Sequence, residues 1–361
     1  MVERGYLSKK SAQDAMREAL TASRKGGYAE PSKMLTGDYL AAWLDGLRLA
    51  PSTVASYRKN VRVHIEPRIG AVPLAHLTAV RLDGLYRDLE RSGRADHRSG
   101  EALSARTVRY VHTILSGALR SAVEAGLVQH NPASRAHPPS AKQAQAPEMH
   151  AWNAAQIRAY LSWAREQSDP LYAAWYTSLH TGMRRGELLA LRWRDVDLNA
   201  GTVTVRRSAG TIRVQGQRTR IEEGPTKTGS PRVIDVDPGT IEVLKSWKRE
   251  RGLLALALAR DDALIFGDLE GRHRNPERFS RSWNKTVGRA IAAGIDITVI
   301  RLHDLRHSHA SLLLSDGEPV KTVSERLGHA SVGITLATYA HVMPGDQKRA
   351  ATRFAALVGE A

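Results

Sequence analysis

Apolar residues recur at helical spacing along most of this chain, and this periodicity restricts it to a mainly helical fold. One short region departs from the pattern, because its apolar residues alternate with polar ones as they do in strands. The alternating residues are Val203, Val205, Ile212, Val214, Val233, Ile234 and Val236. The two periods together predict an α+β protein that is mainly α with a small antiparallel sheet.

The chain of 361 residues carries 53 Lys and Arg residues against 37 Asp and Glu residues, a formal net charge of +16. This excess indicates a polyanionic partner, nucleic acid before an anionic membrane, with plain solubility as the remaining explanation. The longest apolar run, Leu253 to Ala259, is far shorter than the roughly 20 residues of a membrane span. With no apolar signal region after Met1, we predict a soluble intracellular protein without a membrane partner. The sequence contains no cysteine, which excludes disulfides, thiolate zinc sites and a cysteine nucleophile.

Four helices are predicted within residues 33–136. Thr78 and Ser104 fit as N-caps of the third and fourth, and Gly126 fits as the end of the fourth. Cations interleave with the apolar positions, so the bundle is predicted to present a basic face to DNA; a merely solvated face is the alternative. The candidate DNA contacts are Arg58, Lys59, Arg62, Arg106 and Arg109.

Two segments of different character flank this bundle. Residues 1–32 contain one helical pattern, and a single helix cannot form a domain alone. Residues 137–150 lack apolar periodicity and contain a Pro-Pro-Ser run, so they are predicted to be a linker. A second domain is predicted over residues 151–361, opening with a capping box at Asn153 and ending in a helix over about residues 346–358.

The residues best suited to phosphate chemistry are concentrated between His303 and His341. Upstream, Arg184 falls at a predicted helix start, where backbone amides and the helix dipole favour an anion. Lys227 falls in a predicted hairpin turn between two strands. Each of these residues also has an ordinary explanation: a surface charge for the arginine, a solvated tip for the lysine, and a half-buried core position for Tyr339. Taken singly, they do not establish a site.

Five segments, in this order along the chain, resemble the catalytic motifs of the tyrosine recombinases, the phage integrase family. They are Thr181-Gly182-Met183-Arg184-Arg185-Gly186-Glu187-Leu188, Pro225-Thr226-Lys227-Thr228-Gly229-Ser230, His303-Asp304-Leu305-Arg306-His307, Leu327-Gly328-His329 and Thr338-Tyr339. The helices of residues 33–136 also resemble the family's core-binding domain. The resemblance therefore implies a helical core-binding domain followed by a tyrosine-recombinase catalytic domain.

By this resemblance the protein is a site-specific DNA recombinase that forms a 3′-phosphotyrosyl intermediate and integrates or excises a mobile element such as a prophage. The chemistry is nucleophilic catalysis, which stores the energy of the broken bond in the intermediate. The implied roles are attack by Tyr339, binding of the non-bridging oxygens by Arg184, Arg306 and His329, protonation of the leaving oxygen by Lys227, acceptance of the nucleophile's proton by His303, and support of the arginines by Glu187.

The resemblance implies no cofactor and no metal, since side chains supply the cations. The Asp195-Val196-Asp197 and Asp235-Val236-Asp237 segments are interpreted as turn and strand-edge acids rather than as metal ligands. The implied partners are double-stranded DNA attachment sites, three further protomers in a homotetramer on two duplexes, and an excision or host accessory factor. The implied location is the cytoplasm of a bacterial host, at the nucleoid. The C-terminal helix is expected to dock on a neighbouring protomer.

Many phage integrases begin with a three-stranded sheet and a helix that bind separate arm sites. Residues 1–32 are interpreted as a remnant of such a domain, because its strands are absent from this sequence. Two other functions remain open. A type IB topoisomerase uses the same chemistry on one duplex as a monomer, so joining two duplexes would distinguish it. A non-catalytic regulator would fit the helix-turn-helix pattern from Val320 to Thr335, but it would not need Tyr339.

Overall fold

The computed structural model describes residues 9–11, 13–14, 17, 33–94, 101–145, 149–212, 219–343 and 347–359, with the side chains of 347–350 left out. Its contacts divide the chain into two compact units, Met1–Pro147 and Glu148–Ala361. Most of the helical pattern expected near the N-terminus lies outside the described residues, and so does the proline at position 344. None of the helices in the described ranges combines the length and apolar character that crossing a membrane requires.

The described part of the first unit is helical, as predicted. Its elements are α1 (Thr36–Gly46), α2 (Pro51–Asn60), α3 (Glu66–Ile69), α4 (Ala79–Ser92) and α5 (Ala105–Glu124), with 3₁₀ turns at Leu74–His76 and Pro132–Arg135. Both predicted N-caps are confirmed: Thr78 Oγ1 accepts from the Arg81 amide and Ser104 Oγ from the Thr107 amide, each at 3.3 Å. Gly126 has a φ of +70° just past the end of α5, which confirms it as the stop.

The predicted second helix is longer and less regular than its pattern indicated. A π-helical turn, Val61–Ile65, connects α2 to α3. Pro67 lies in the first turn of α3 and has no N–H to donate to the carbonyl four residues earlier, so a regular α-helix cannot pass through this point. The π turn carries Val61 and Ile65 into the core, whereas no residue of α2 itself is buried.

The second unit contains nine helices within its described residues and five short strands. The helices are α6 (Ala154–Glu166), α7 (Tyr172–Thr181), α8 (Arg185–Leu189), α9 (Pro238–Leu254), α10 (Pro276–Ala292), α11 (Asp304–Ser315), α12 (Val320–Leu327), α13 (Val332–Tyr339) and α14 (Gln347–Val358). The strands are β1 (Val196–Asp197), β2 (Thr202–Val205), β3 (Arg207–Ile212), β4 (Arg220–Pro225) and β5 (Arg232–Asp235). The capping box predicted at Asn153 is confirmed, with the Gln156 side chain accepting from the Asn153 amide at 3.1 Å and the Asn153 side chain from the Gln156 amide at 2.9 Å.

All strand pairs are antiparallel, as predicted, but they form two sheets: β1-β2-β5 and β3-β4. In the first, Val203 faces Ile234 across the ladder; in the second, Arg207 faces Pro225. The prediction that Lys227 lies in a hairpin between two paired strands is therefore wrong. The turn after β4 leads to β5, which pairs with β2 and not with β4. Spacing predicted two neighbouring strands, but it could not predict that β4 prefers β3 as its partner.

A cluster of aromatic side chains forms the core of the second unit. The rings of Trp175 and Trp283 lie 5.3 Å apart, and Trp152 packs 5.5 Å from Trp283. The indole N–H of each of these three residues has an acceptor: Trp152 and Trp283 donate to backbone carbonyls at 2.9 Å, and Trp175 donates to Asp169 Oδ1 at 3.2 Å. Helices α8 and α11, which carry Glu187 and Arg306, contribute residues to this core, and α12 and α13 pack against α11.

Candidate active site

Gly182 ends α7 and directs the chain into the site. Gly182 follows α7 in a left-handed conformation, with φ 62° and ψ 19°. A Cβ there would lie 2.7 Å from a ring carbon of His309 and 2.8 Å from a methyl of Leu327, so a side chain does not fit. The turn makes Arg184 the N-cap residue of α8, which agrees with its predicted position at a helix start.

Glu187 holds two arginines together in the interior. Its carboxylate accepts from the Arg184 backbone N–H at 2.9 Å and from Arg184 Nη1 at 2.8 Å. Arg232 on β5 donates to both oxygens of the same carboxylate, at 3.1 and 2.6 Å. Burial raises the pKa of Glu187, but the hydrogen bonds and charge of Arg232 and Arg184 outweigh it and hold that pKa below its usual range. Glu187 is therefore an ionised, fully buried anchor.

The C-terminal end of α12 is joined to these arginines. Gly328 is left-handed, and the backbone N–H of His329 bonds back to the Ser324 carbonyl at 3.1 Å, the pairing of a Schellman motif. Two carbonyls at this end accept from arginines: Arg184 Nη2 donates to Gly328 O and Arg232 Nε to Arg326 O, each at 3.0 Å. The helix end that presents His329 is thereby fixed to the Glu187 anchor.

Arg326 ties the same helix end to two other elements. Its Nη1 donates to the Asp235 carbonyl at 2.8 Å and its Nη2 to the His180 carbonyl at 2.9 Å. Its Nε donates to Nε2 of His309, whose Nδ1–H in turn donates to the Leu179 carbonyl at 2.8 Å. Burial and then the Arg326 charge lower the pKa of His309 to about 3, which keeps the ring a neutral acceptor.

Arg306 on α11 is a buried cation with unused bonding capacity. It is 3% exposed, and its Nη1 donates to the Gly182 carbonyl at 2.8 Å. Its Nη2 is buried and has no hydrogen-bond partner among the described residues. Burial and the neighbouring Arg184 charge lower its pKa to about 9, so the guanidinium is still protonated at pH 7. A buried N–H left unpaired is costly, and an anionic oxygen would remove that cost.

His329 lies close enough to both cations to be influenced by them. Its Nδ1 is 2.7 Å from Oγ1 of Thr335, a fully buried residue of α13. Burial, then Arg306 and Arg184, lower its pKa to about 4, so the ring is neutral at pH 7. In the tautomer whose Nδ1 accepts from the Thr335 hydroxyl, the imidazole proton is on Nε2 and available to an acceptor.

Tyr339 is the last residue of α13 and is fully buried. Burial raises the pKa of its phenol to about 12. Its Oη lies 2.7 Å from Nδ1 of His307. His303, which the sequence resemblance placed beside the nucleophile, instead packs its ring edge-on against His307, with centroids 5.0 Å apart. His307 therefore makes the contact with the tyrosine hydroxyl that was predicted for His303. The hydroxyl lies beside the first turn of α11, which follows His303.

Lys227 is not brought to this cluster. It is exposed at the tip of the turn from Thr226 to Gly229, which is closed by a 2.9 Å backbone bond between those two residues. Among the described residues it has neither a hydrogen bond nor an ion pair. The structure therefore places Lys227 at a turn, as predicted, without showing the contact that its predicted role requires.

The basic residues predicted on the helical bundle differ in their surroundings. Arg58 is paired with Asp45 at 2.7 Å, and Arg109 Nη1 donates to the Pro139 carbonyl at 2.8 Å. Arg106 lines an open cleft of about 600 Å³ together with Arg109. All five predicted residues are exposed: Arg58, Lys59, Arg62, Arg106 and Arg109.

The acidic segments at Asp195 and Asp235 do not form a metal cluster. The Asp195 carboxylate is 5% exposed and bonded to Arg207, and no group of three or more His, Asp or Glu side chains within the described ranges is placed to hold a metal ion.

The model of the Phage integrase family matches residues 152–345. The chain belongs to the phage integrase family, the tyrosine recombinases. The ICEBs1 integrase of Bacillus subtilis is 30% identical over 263 residues, which cover 71% of this chain and 67% of that protein. A XerC-like tyrosine recombinase of Caldanaerobacter subterraneus subsp. tengcongensis is 24% identical over 361 residues, 95% of this chain and 88% of that protein.

Solved structures of integrases share the fold. The Tn1549 transposon integrase superposes with a TM-score of 0.67 at 18% identity, over 90% of this chain and 100% of that one. The lambda integrase gives a TM-score of 0.59 at 16% identity, over 87% of this chain and 97% of the other. The mainly helical class with a small antiparallel sheet is thus confirmed as that of tyrosine recombinase integrases.

Two side chains at the site were not predicted as functional. Arg232 gave no signal beyond being a cation five residues after Lys227 in an alternating segment. His307 appeared only as the last residue of the His303-Asp304-Leu305-Arg306-His307 motif, although its position four residues after His303 places it one helical turn further along.

Proposed function

We propose that this integrase cleaves and rejoins DNA at specific sites through a 3′-phosphotyrosyl intermediate, and so integrates or excises a mobile element such as a prophage. The observation that carries the proposal is the unpaired, buried Nη2 of Arg306, located where Arg184, His329 and Tyr339 also converge. A phosphodiester placed there would give Arg306 its missing acceptor beside a buried tyrosine hydroxyl.

In this mechanism Arg184, Arg306 and His329 bind the non-bridging oxygens and stabilise the charge of the transition state. The Tyr339 oxygen attacks phosphorus, its bond to phosphorus forms, and the bond to the 5′ oxygen breaks. Glu187 keeps Arg184 in place, since it binds both the side chain and the backbone of that residue. No metal or cofactor enters these steps.

Two proposed roles depend on movement that DNA binding would supply. Lys227 protonates the leaving 5′ oxygen, which requires its exposed turn to approach the site. His303, the residue preceding α11, packs its ring against that of His307 and contributes to proton transfer there. Both assignments are supported by motif order and by position on the chain.

The proposed partner is double-stranded DNA carrying the attachment site. Integrases of similar fold have been solved bound to DNA, the Tn1549 enzyme with its transposon right end and the lambda enzyme as a dimer on a core site. We also propose a homotetramer on two duplexes, an excision or host accessory factor, and action at the nucleoid. Phe354 and Leu357 of α14 are 67% and 78% exposed, and docking of this helix on a neighbouring protomer would cover them.

The proposed division of labour follows the two units. Residues 33–136 bind DNA as the core-binding domain, residues 137–150 link the domains, and residues 151–361 carry catalysis and the C-terminal helix. Support comes from the basic helical bundle and from the match of the family model to the second part of the chain.

The test begins with DNA covalently attached to the protein in bacterial cells, which is recovered and sequenced to give the cleaved site. A duplex of that sequence, nicked just 3′ of the scissile phosphate, then traps the adduct in vitro. The wild-type chain should form the adduct in excess EDTA. Tyr339→Phe should keep its affinity for DNA within about twofold, since binding depends on many phosphate contacts, but form no adduct.

An adduct formed by Tyr339→Phe would contradict the assignment of the nucleophile. Loss of cleavage in EDTA that magnesium restores would indicate a metal-dependent nuclease instead. Relaxation of a plasmid without joining of two duplexes would indicate a type IB topoisomerase.

A further inference from the structure

The hydroxyl of Tyr339 has one clear proton partner in this structure, and it is His307. Oη lies 2.7 Å from Nδ1, inside the 2.6–3.2 Å range over which a general base can take a proton. The two rings are inclined at 54° with centroids 5.7 Å apart, so the contact is edge-directed rather than stacked. Because α11 and α13 pack on each other, the contact is held by the fold.

His303 is placed differently. It is the residue preceding α11, one helical turn before His307, and its ring lies perpendicular to that of His307. Its side chain has no hydrogen bond to Tyr339 or to any other described residue. An acceptor for the phenol proton must touch the phenol oxygen, and His307 meets this requirement.

The charges around His307 leave it neutral but responsive. The charged and titratable groups nearest His307 are Asp304 and Arg306 on α11, Arg301 and His303 just before it, His329 just after α12, and Tyr339 on α13. The Asp304 carboxylate is bonded to the Arg301 side chain at 2.7 and 3.0 Å, so its charge is largely neutralised. Burial lowers the pKa of His307 below its ordinary value, with Asp304 opposing and Arg306 adding to the decrease.

We propose that His307 is the catalytic general base of this recombinase, taking the Tyr339 proton at Nδ1 as the phenol oxygen attacks phosphorus. The proposal rests on the function proposed above and names a residue of the same site. The O–H bond of Tyr339 breaks and an N–H bond forms at Nδ1, while the phosphorus exchanges its 5′ oxygen for the tyrosine oxygen. In rejoining, the imidazolium returns that proton to the departing phenolate.

The second ring nitrogen supports this cycle. In the neutral form that accepts at Nδ1, the ring proton is on Nε2. Nε2 has no hydrogen bond to a described residue and is not fully buried, so it is open to solvent. The charge gained during attack can therefore be relieved by exchange with water, without reorganising the buried arginines.

The experiment compares His307→Asn with wild type on the nicked duplex in single turnover. The asparagine side chain places a hydrogen-bonding atom near the position of Nδ1 but cannot take up a proton. We expect adduct formation to slow about 100-fold or more at pH 7, the usual size of a general-base contribution. The wild-type rate of adduct formation should level off above about pH 7. The rate of the variant should rise about tenfold per pH unit up to about pH 9, because without the base only the phenolate form of Tyr339 attacks.

A second measurement separates proton transfer from structure. Fluorinated tyrosine at position 339 ionises more easily, so it should recover much of the His307→Asn defect while changing the wild-type rate little. His303→Asn is the matched comparison, since it removes the adjacent imidazole one turn away. The rate of adduct formation by His303→Asn should still level off above about pH 7, as in wild type, whatever the value of that rate.

A His307→Asn rate within about threefold of wild type, or one with an unchanged plateau, would overturn the proposal. So would a defect that fluorinated tyrosine does not relieve, or a tenfold-per-unit pH dependence in His303→Asn instead. Wild-type adduct through Tyr339 in the same experiment would show that the proposed recombinase chemistry stands in either case.

Discussion

At the scale of single residues, the site combines permanent cations with groups held uncharged. Burial, then His307 and Arg306, lower the pKa of His303 to about 4, and burial, then Arg306 and Arg184, lower that of His329 to about 4. Burial raises the pKa of Tyr339 to about 12. A phosphate would therefore meet the charge of Arg184 and Arg306 first. Proton transfer then requires a base for the tyrosine and an acid for the leaving oxygen, and the acid is the less securely placed of the two.

Lys227 is the proposed acid, and its role can be tested with sulfur. If Lys227 protonates the leaving 5′ oxygen, Lys227→Ala should slow cleavage about 100-fold or more. Sulfur in place of that bridging oxygen makes the leaving group a thiol of pKa about 8.5, which needs little protonation near neutral pH. Lys227→Ala should then cleave the sulfur substrate at close to the wild-type rate, measured in single turnover.

Arg184→Ala is the matched control for the sulfur substrate, because Arg184 binds non-bridging oxygens. Sulfur should not rescue it. Equal rescue of both variants, or of neither, would assign the acid to another residue, with His303 the next to examine.

At the scale of elements, the site depends on how a strand joins two helix ends. Arg232 of β5 bonds to Glu187 at the start of α8 and to the Arg326 carbonyl at the end of α12, so three elements meet at one guanidinium. Gly328 lies so close that a Cβ on it would be 2.7 Å from Arg232 Nη1. The position of His329 therefore depends on a strand that contributes no predicted catalytic residue.

Replacing Arg232 should destabilise the second unit. Arg232→Met leaves the buried Glu187 carboxylate with one arginine, and removing one partner of a buried pair costs about 3 kcal/mol. Arg232→Lys should have a stability between those of wild type and Arg232→Met, because an ammonium cannot make the paired bonds of a guanidinium. The measurement is the urea midpoint of unfolding, followed by a probe within the second unit.

Arg272 provides the control, since it too is paired with carboxylates, those of Asp268 and Glu270, but its side chain is 71% exposed against 11% for Arg232. Arg272→Met should leave the urea midpoint almost unchanged, because an exposed ion pair contributes little to stability. Similar losses for both variants would show that the Arg232 contacts contribute no more than a surface pair.

At the scale of the whole molecule, the net charge of +16 acts through exposed cations rather than through every basic residue. In the first unit, Arg58 is already paired with Asp45 and Arg109 is bonded to Pro139. Lys59 has no ion pair with a described residue and is exposed. Neighbouring cations on one helix are therefore expected to differ in what they contribute to DNA.

Binding to a duplex of arbitrary sequence should weaken steeply with salt, and the slope should identify the contacts. Lys59→Ala should reduce the slope of log affinity against log salt by about 1, the change expected when one phosphate contact is lost. Arg58→Ala should reduce it less, because Asp45 already neutralises that guanidinium. Fluorescence anisotropy of the full chain between about 50 and 200 mM salt gives both slopes. Identical slopes for wild type and Lys59→Ala would place that helix away from DNA.

Local spacing was sufficient to predict the features that depend on neighbouring residues. The caps at Thr78, Ser104 and Asn153 are contacts over three residues, and the glycine ends of helices follow from one backbone conformation, so the sequence determined them. The motif order likewise indicated the family before any packing was known. Each of these features is set by the chain within a few positions.

Only the tertiary structure decided which distant groups meet. Arg184 reaches Gly328 across 144 residues, Arg232 reaches Arg326 across 94, and the Tyr339 hydroxyl selects His307 over His303 across 32. Spacing fixes the face of a helix on which a histidine lies, but packing of α11 against α13 decides which turn of that face meets the phenol. The pairing of β4 with β3 rather than β5 was decided in the same way, because strand partners compete through contacts that periodicity does not encode.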